Sequence, residues 1–365
     1  MAYVETNDGY EIIEEYNASI ARKVTFLIIL AIILFLTFCF ICTLDTGRDF
    51  SMFSVPRIIW NNIAGVTYEK YSAGWWDDYI LIQKNLPRIA GATIAGASLA
   101  VCGATTQSLM NNPLASPYTM GMSSGACFGS VLAIVAGFSL GSSIGIYGVS
   151  FNAFIFGMIP VAIVIALSRV MTLTPVTIIL IGVAVSQFFG SLTTLIQVGA
   201  DEDTLQAAYL WQVGNFYNIG WSDLQLMSFF LIIGSIVLIL MSQKFNILTL
   251  GDDSAKALGV DATVFRISCM ALLALMTMSV VAFVGIIGFV GLIAPHMVRF
   301  VIGGDNKFVI PASILSGAVL LLVADTISRM ITSDPIPVGA VMSCIGGPIF
   351  IYLILRRSSM FKGGY

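Results

Sequence analysis

Between Arg88 and Arg169 the chain carries no aspartate, glutamate, lysine, arginine or histidine at all. A water-soluble fold cannot cover itself with such a stretch, because ordinary domains carry about 25% charged residues. Over the whole chain of 365 residues only 10% are charged and 58% are hydrophobic. Several runs reach the roughly 20 apolar residues that span a bilayer as helix. Lipid offers no partner to backbone N–H and C=O groups, so they must pair within the segment. The expected fold class is therefore all-α, a polytopic membrane protein. The first apolar run, 24–44, is too long for a cleaved leader and lacks a small-residue cleavage site, so it reads as a first span. The net charge of −3 points to no nucleic-acid partner.

Apolar runs between polar breaks fall at about 24–44, 88–109, 119–139, 147–169, 176–198, 223–242, 264–284, 288–303, 308–330 and 337–356. Ten crossings place both termini on one side. With that side inside, eleven of the seventeen Lys and Arg residues are cytoplasmic, the sense the positive-inside rule favours. The domain reading is an acidic cytoplasmic tail over 1–23, a ten-span unit over 24–357 and a short cytoplasmic tail over 358–365. The long outer loop of about 45–87 carries "AGWWDDYI", read as an interfacial aromatic belt. Spans two to five and seven to ten run in opposite senses, which permits an inverted repeat.

The chain offers little equipment for catalysis. "GGDNK" at 303–307 lacks the phosphate-cradling spacing of a P-loop, and no metal-ligand cluster or nucleophile motif is present. The Cys39 and Cys42 pair reads as small apolar side chains on a lipid-facing helix. His296, the one histidine, sits beside Pro295 in an apolar run and reads as structural. Asp325 and Arg329, spaced i,i+4 near one end of the ninth span, can pair with each other. Glycines in "GATIAGASLAVCGA" and "GMSSGACFGS" predict close helix packing. The segment 244–266 is longer than a connector needs to be. Asp252–Asp253–Ser254 suits a helix start and Gly259 a helix stop, which makes a platform for a soluble partner.

Five stretches carry a resemblance to a known family. They are "LPRIAGATIAGASLAVCGATTQSLMNNPLASPYTMGMSSGA" (86–126), "GDDSAKALGV" (251–260), "GIIGFVGLIAPHMVR" (285–299), "LLLVADTISR" (320–329) and "PIPVGAVMSCIGGPIFIYLIL" (335–355). In this order and spacing they resemble the membrane permeases of type II ABC importers, which take up iron–siderophore complexes, haem and cobalamin. The resemblance implies ten spans and a translocation pathway between two permease subunits, in a homodimer or with a paralogue. Asn112 and Leu114 match the family's cytoplasmic gate, in a turn stiffened by Pro113 and Pro117. Gly251, Asp252, Ala255, Leu258 and Gly259 match the coupling segment that docks on the ATPase, with Asp252 where the family usually has Glu. Arg88 and Arg329 match arginines that grip an extracytoplasmic binding protein, and Lys84 stands near a missing second arginine. Pro295, His296, Gly339 and Pro348 fall at matching structural positions. The implied chain is no enzyme and holds no cofactor, since ATP and Mg belong to the partner ATPase. The implied cargo is a ferric siderophore, with haem or a corrinoid as the alternative.

Overall fold

The computed structural model describes residues 5–362 apart from 45–49, 52, 141–146, 172 and 332–335, with side chains outside 5–12, 354 and 356–362. Among the described residues the regular structure is helical throughout, with no strand. In chain order the α-helices are α1 Glu5–Thr43, α2 Ser54–Ile63, α3 Ala73–Asp78, α4 Leu86–Leu109, α5 Met122–Ile134, α6 Gly148–Leu167 and α7 Pro175–Val198. They continue with α8 Glu202–Val213, α9 Trp221–Leu240, α10 Ser242–Leu248, α11 Asp252–Ala257, α12 Ala262–Val284, α13 Val290–Ile302, α14 Asn306–Met330 and α15 Val338–Lys362. Seven helical stretches are long and apolar enough to cross a membrane, and α5, α13 and α15 supply three shorter apolar ones. The ten expected crossings are thus accounted for by helices.

Two expected boundaries move. The first helix does not begin near residue 24: α1 is continuous from Glu5, so the acidic tail joins the first span without a break in the backbone. The helix that holds the second expected span also starts upstream of 88. Helix runs from Ala73 through a π-helical turn, Tyr79–Asn85, into α4. A π turn leaves some carbonyls without their usual donors, and Trp221 Nε1 donates to the Ile82 carbonyl at 2.9 Å. The Trp-rich belt is accordingly helical, with Trp75 stacked on Tyr79 at 5.3 Å between centroids.

The axis of the bundle is α4. Nineteen of its 24 residues are buried, against four of 24 in α7. The small residues of α4 explain this. A methyl group at Gly96 would overlap the Gly317 carbonyl of α14, and one at Gly103 would overlap the backbone of Gly291 in α13. With hydrogen at those positions the backbones meet, the packing mode of helices in lipid.

The helices α4 to α7 and α12 to α15 form two quartets in which the second member is short, at 13 residues for both α5 and α13. A helix of that length covers about 20 Å at 1.5 Å per residue, less than the roughly 30 Å hydrocarbon core. Non-α backbone precedes each: residues 110–121 before α5, with a 3-10 turn at Pro117–Met120, and 285–289 before α13, with Phe289 at φ 68°. The first members run in opposite senses, because Arg266 near the start of α12 contacts Leu109 at the end of α4.

Candidate functional site: the two ends of the central helix

At its far end α4 stops at Leu109 and the chain turns through the Asn-Pro-Leu segment. Asn111 takes a left-handed φ of 46°, a conformation that Asn tolerates better than most residues. The Asn112 amide donates to the Gln107 carbonyl at 3.0 Å, and Ala115 N donates to the Asn112 carbonyl at 3.1 Å. The Asn112 side-chain oxygen accepts from Leu114 N at 2.9 Å, an Asx turn that fixes the loop locally. Ala115, Ser116 and Pro117 are buried, so the segment is rooted, while Leu114 protrudes with 49% of its surface exposed. Pro113 and Asn112 are half-buried. The result is a stiff, uncharged turn with an apolar tip.

Two arginines from other helices hold the end of α4. Arg266, only 2% exposed, donates from Nε to the Leu109 carbonyl at 3.0 Å. Arg299 donates from Nη2 to the Ala104 carbonyl at 3.0 Å and to Ser108 Oγ at 2.8 Å. The Leu109 carbonyl is among the last four of the helix, which have no partner within it, and the whole last turn carries the negative end of the dipole, so cations are favoured at this end. Ser108 Oγ donates in turn to Asn306 Oδ1 at 2.7 Å, and Asn246 Nδ2 donates to Asp305 Oδ1 at 2.8 Å. This web joins α4, α10, α13 and the start of α14.

Beside it lies α11, bracketed by Gly251 at φ 98° and Gly259 at φ 81°. Those left-handed values admit glycine at no steric cost, and they explain why the helix starts and stops where the sequence placed it. Leu250 and Leu258 are exposed at 63% and 59%. Ala255 is not. It is fully buried in a cluster with Phe245, Leu248 and Phe265, so within the coupling segment it anchors the platform from beneath. Asp252 is half-exposed but its carboxylate accepts from both terminal nitrogens of Arg266, at 2.7 and 2.6 Å. Those bonds hold its carboxyl below the usual carboxylate range.

At the opposite end, Arg88 and Arg329, matched to binding-protein docking, turn toward a buried carboxylate. Arg88 forks onto Asp325, with Nη2 to Oδ1 at 2.8 Å and Nε to the two oxygens at 3.2 and 3.1 Å. Arg329 approaches the same carboxylate at 3.5 Å. Asp325 is fully buried, and the side chains of Arg88 and Arg329 are only 14% and 7% exposed. The ring of Tyr217 faces the Arg88 guanidinium at 5.5 Å. The i,i+4 pairing of Asp325 with Arg329 is present, but a freely presented pair of guanidinium groups is not. Lys84, by contrast, is exposed.

A model of the FecCD transport family matches residues 29–356 of the chain. The chain belongs to the FecCD transport family. It is 40% identical to a protein of Methanocaldococcus jannaschii described as an ABC transporter permease, over 95% of this chain and 98% of that one. It is 33% identical to the hemin transport system permease protein of Yersinia pestis, covering 84% of this chain and 90% of the relative. Among solved structures it matches a transporter described as metal-chelate type, in an inward-facing conformation, with a TM-score of 0.77 and 30% identity over 90% of this chain and 98% of that one. As a FecCD protein the chain is a transport subunit of an ATP-binding-cassette system and not itself the enzyme. Among the described residues no group of three or more His, Cys, Asp or Glu side chains could hold a metal ion.

The remaining residues singled out in this FecCD chain are structural in their surroundings. His296 is buried, its ring 6.2 Å from that of Phe350. A methyl group at Gly339 would overlap the Val213 carbonyl. Pro295 and Pro348 lie inside α13 and α15. Sequence reasoning missed one feature. On α7, Gln187, Ser191 and Thr194 share an exposed face with Leu180 and Leu195. Their i, i+4, i+7 spacing was the signal available. Gln187 lies at the middle of the helix, where an amide facing lipid is costly.

Proposed function

We propose that this chain is the permease of an importer in which two permease subunits enclose a pathway for a metal chelate, most specifically a ferric siderophore complex. The observation that carries the reading is Gln187, exposed halfway along α7. Ser191 and Thr194 on the same face donate to the Gln187 and Gly190 carbonyls of their own helix, but the Gln187 side chain presents a carbonyl and an NH2 whose polar groups call for water or a second protein, not acyl chains. A pathway lined half by this chain and half by a second copy or a paralogue satisfies them. The Asn112–Leu114 turn then closes the pathway at the cytoplasmic mouth, with both termini and α11 on the same side. Separate ATPase subunits, holding ATP and Mg, dock on α11 through exposed residues such as Leu250 and Leu258. An extracytoplasmic binding protein delivers the cargo to the end carrying Lys84. There, Arg88 and Arg329 shape the platform through Asp325 and meet the binding protein's acids at their rims.

The relatives' names support a chelate, since one is a hemin permease and one neighbour a metal-chelate type transporter. The first of these keeps haem as the second reading. The test is ATP-dependent accumulation in proteoliposomes holding the permease, its ATPase and its loaded binding protein, with radioiron ferrichrome and haem as separate cargoes. Accumulation of ferrichrome supports the siderophore reading. Accumulation of haem alone replaces it, and uptake without ATP overturns the importer reading.

A further inference from the structure

Arg266 is odd among the charged residues of the chain. Among the described residues it is the largest fully buried side chain, and its hydrogen bonds go to two separate elements. Its Nη1 and Nη2 hold the carboxylate of Asp252, the first residue of α11. Its Nε holds the carbonyl of Leu109, the last residue of α4 and 157 positions away in sequence. The guanidinium is a rigid planar fork with five donors, so the carboxylate and the carbonyl are fixed to one plate. A lysine ammonium could reach one of them or the other.

Each connected element is a short, locally bonded unit. Positive-φ glycines flank α11, and a methyl group at either Gly251 or Gly259 would meet nothing within 4 Å, so no neighbour is packed against its ends. At the other side, the gate turn hangs from the last turn of α4 through the Asn112-to-Gln107 bond, three positions past the tethered carbonyl. Separating Arg266 from Asp252 would leave a buried charge without its counterion, which strongly disfavours breaking the pair. Displacement of α11 therefore carries Arg266 with it, and Arg266 pulls on Leu109.

We propose that Arg266 is the positioning residue that transmits movement of α11 to the Asn112–Leu114 turn, through a single guanidinium shared by Asp252 and the Leu109 carbonyl. This rests on the permease reading above. Arg299, which grips the same turn of α4 one residue earlier at Ser108, contacts α14 instead of the platform and serves as the fixed side of the clamp.

The test uses the complete transporter in proteoliposomes, with a Leu114→Cys reporter labelled by a membrane-impermeant maleimide, without nucleotide and with ATP plus vanadate. In the otherwise native background the labelling rate should change with nucleotide. Arg266→Lys should abolish that difference while the ATPase still co-purifies and hydrolyses ATP, and Asp252→Asn, which keeps shape but loses the charge, should abolish it as well. Asp252→Glu, which restores a two-oxygen acceptor, should retain it. Because Asp252 is half-exposed, its asparagine variant tests the tie even if Arg266→Lys fails to fold. A nucleotide response that survives in Asp252→Asn overturns the tie alone. So does a response lost together with ATPase co-purification, since that marks a docking contact. No response in the native background overturns the gate reading, and the tie with it.

Discussion

The two ends of α4 are both held by arginines, but in opposite ways. At the Arg88 end the charge lies within the bundle: Asp325 is fully buried between Arg88 and Arg329, and α4 and α14 are joined side chain to side chain. At the Leu109 end the arginines bind the helix's own carbonyls, and one of them reaches out to a half-exposed aspartate on a six-residue helix between positive-φ glycines. A buried triad resists displacement because any partner left behind is an uncompensated charge. A tether to a surface helix passes displacement on. The same residue type thus makes one end of the central helix a fixed point and the other a lever.

The largest effect expected from this comparison is at the fixed end. Asp325→Ala removes the buried carboxylate that Arg88 and Arg329 both approach, and breaking a buried pair costs about 3–5 kcal/mol. Thermal unfolding of the purified chain in detergent should show a drop of that order. A variant as stable as the native chain would remove the distinction between the ends. Next, Gly103→Val drives a side chain into the Gly291 backbone. Overpacking costs about 1–3 kcal/mol where neighbours can relax, and here the obstacle is backbone. The same unfolding measurement should place it at or above the upper figure, and a neutral result would show that α13 yields.

Within the lever, Ala255→Glu and Leu258→Glu should separate. The first puts a charge into the Phe245–Leu248–Phe265 cluster and should lower the unfolding midpoint. The second, on an exposed residue, should leave the midpoint near native and reduce co-purification of the ATPase. Equal behaviour of the two would contradict the orientation of α11.

The smallest effect concerns pH. Arg266 depresses the Asp252 carboxyl below its ordinary 3.8, so the stability it lends is present above that value and lost as pH falls through the lower folded value. The difference in unfolding midpoint between native protein and Asp252→Asn should stay constant from about pH 8 to pH 5 and close only below about pH 4. A gap that closes near neutrality would mean that another group sets the strength of the tether.

Much of this architecture is legible in the residues. Uncharged apolar runs mark the crossings, and Gly251 and Gly259 mark the ends of α11. The Asn-Pro pair marks a rigid turn. What escapes is set by contacts far apart in sequence. The Arg88–Asp325 pair spans 237 positions, and nothing local to either residue says that the guanidinium turns inward. Arg266 looks like any basic residue at a membrane boundary until Leu109 is placed beside it. The inward face of Ala255 escapes because six residues are too few to show a periodicity. The upstream extension of α4 escapes because Asp77 and Asp78 among tryptophans read as loop. Gln187 on α7 was readable in principle: an amide in the middle of an apolar run argues for a wet or protein-covered side.

The most direct test of the lever and the fixed point is a pair of distance measurements on one reconstituted transporter. Nitroxide labels at position 114 and, separately, at position 84 would each be measured against a common reference on the exposed face of α9. Double electron–electron resonance would compare the nucleotide-free and ATP–vanadate states. The distance from position 114 should shift between the two states while that from position 84 stays unchanged. Equal shifts at both positions, or a shift at position 84 alone, would contradict the assignment of one moving and one fixed end.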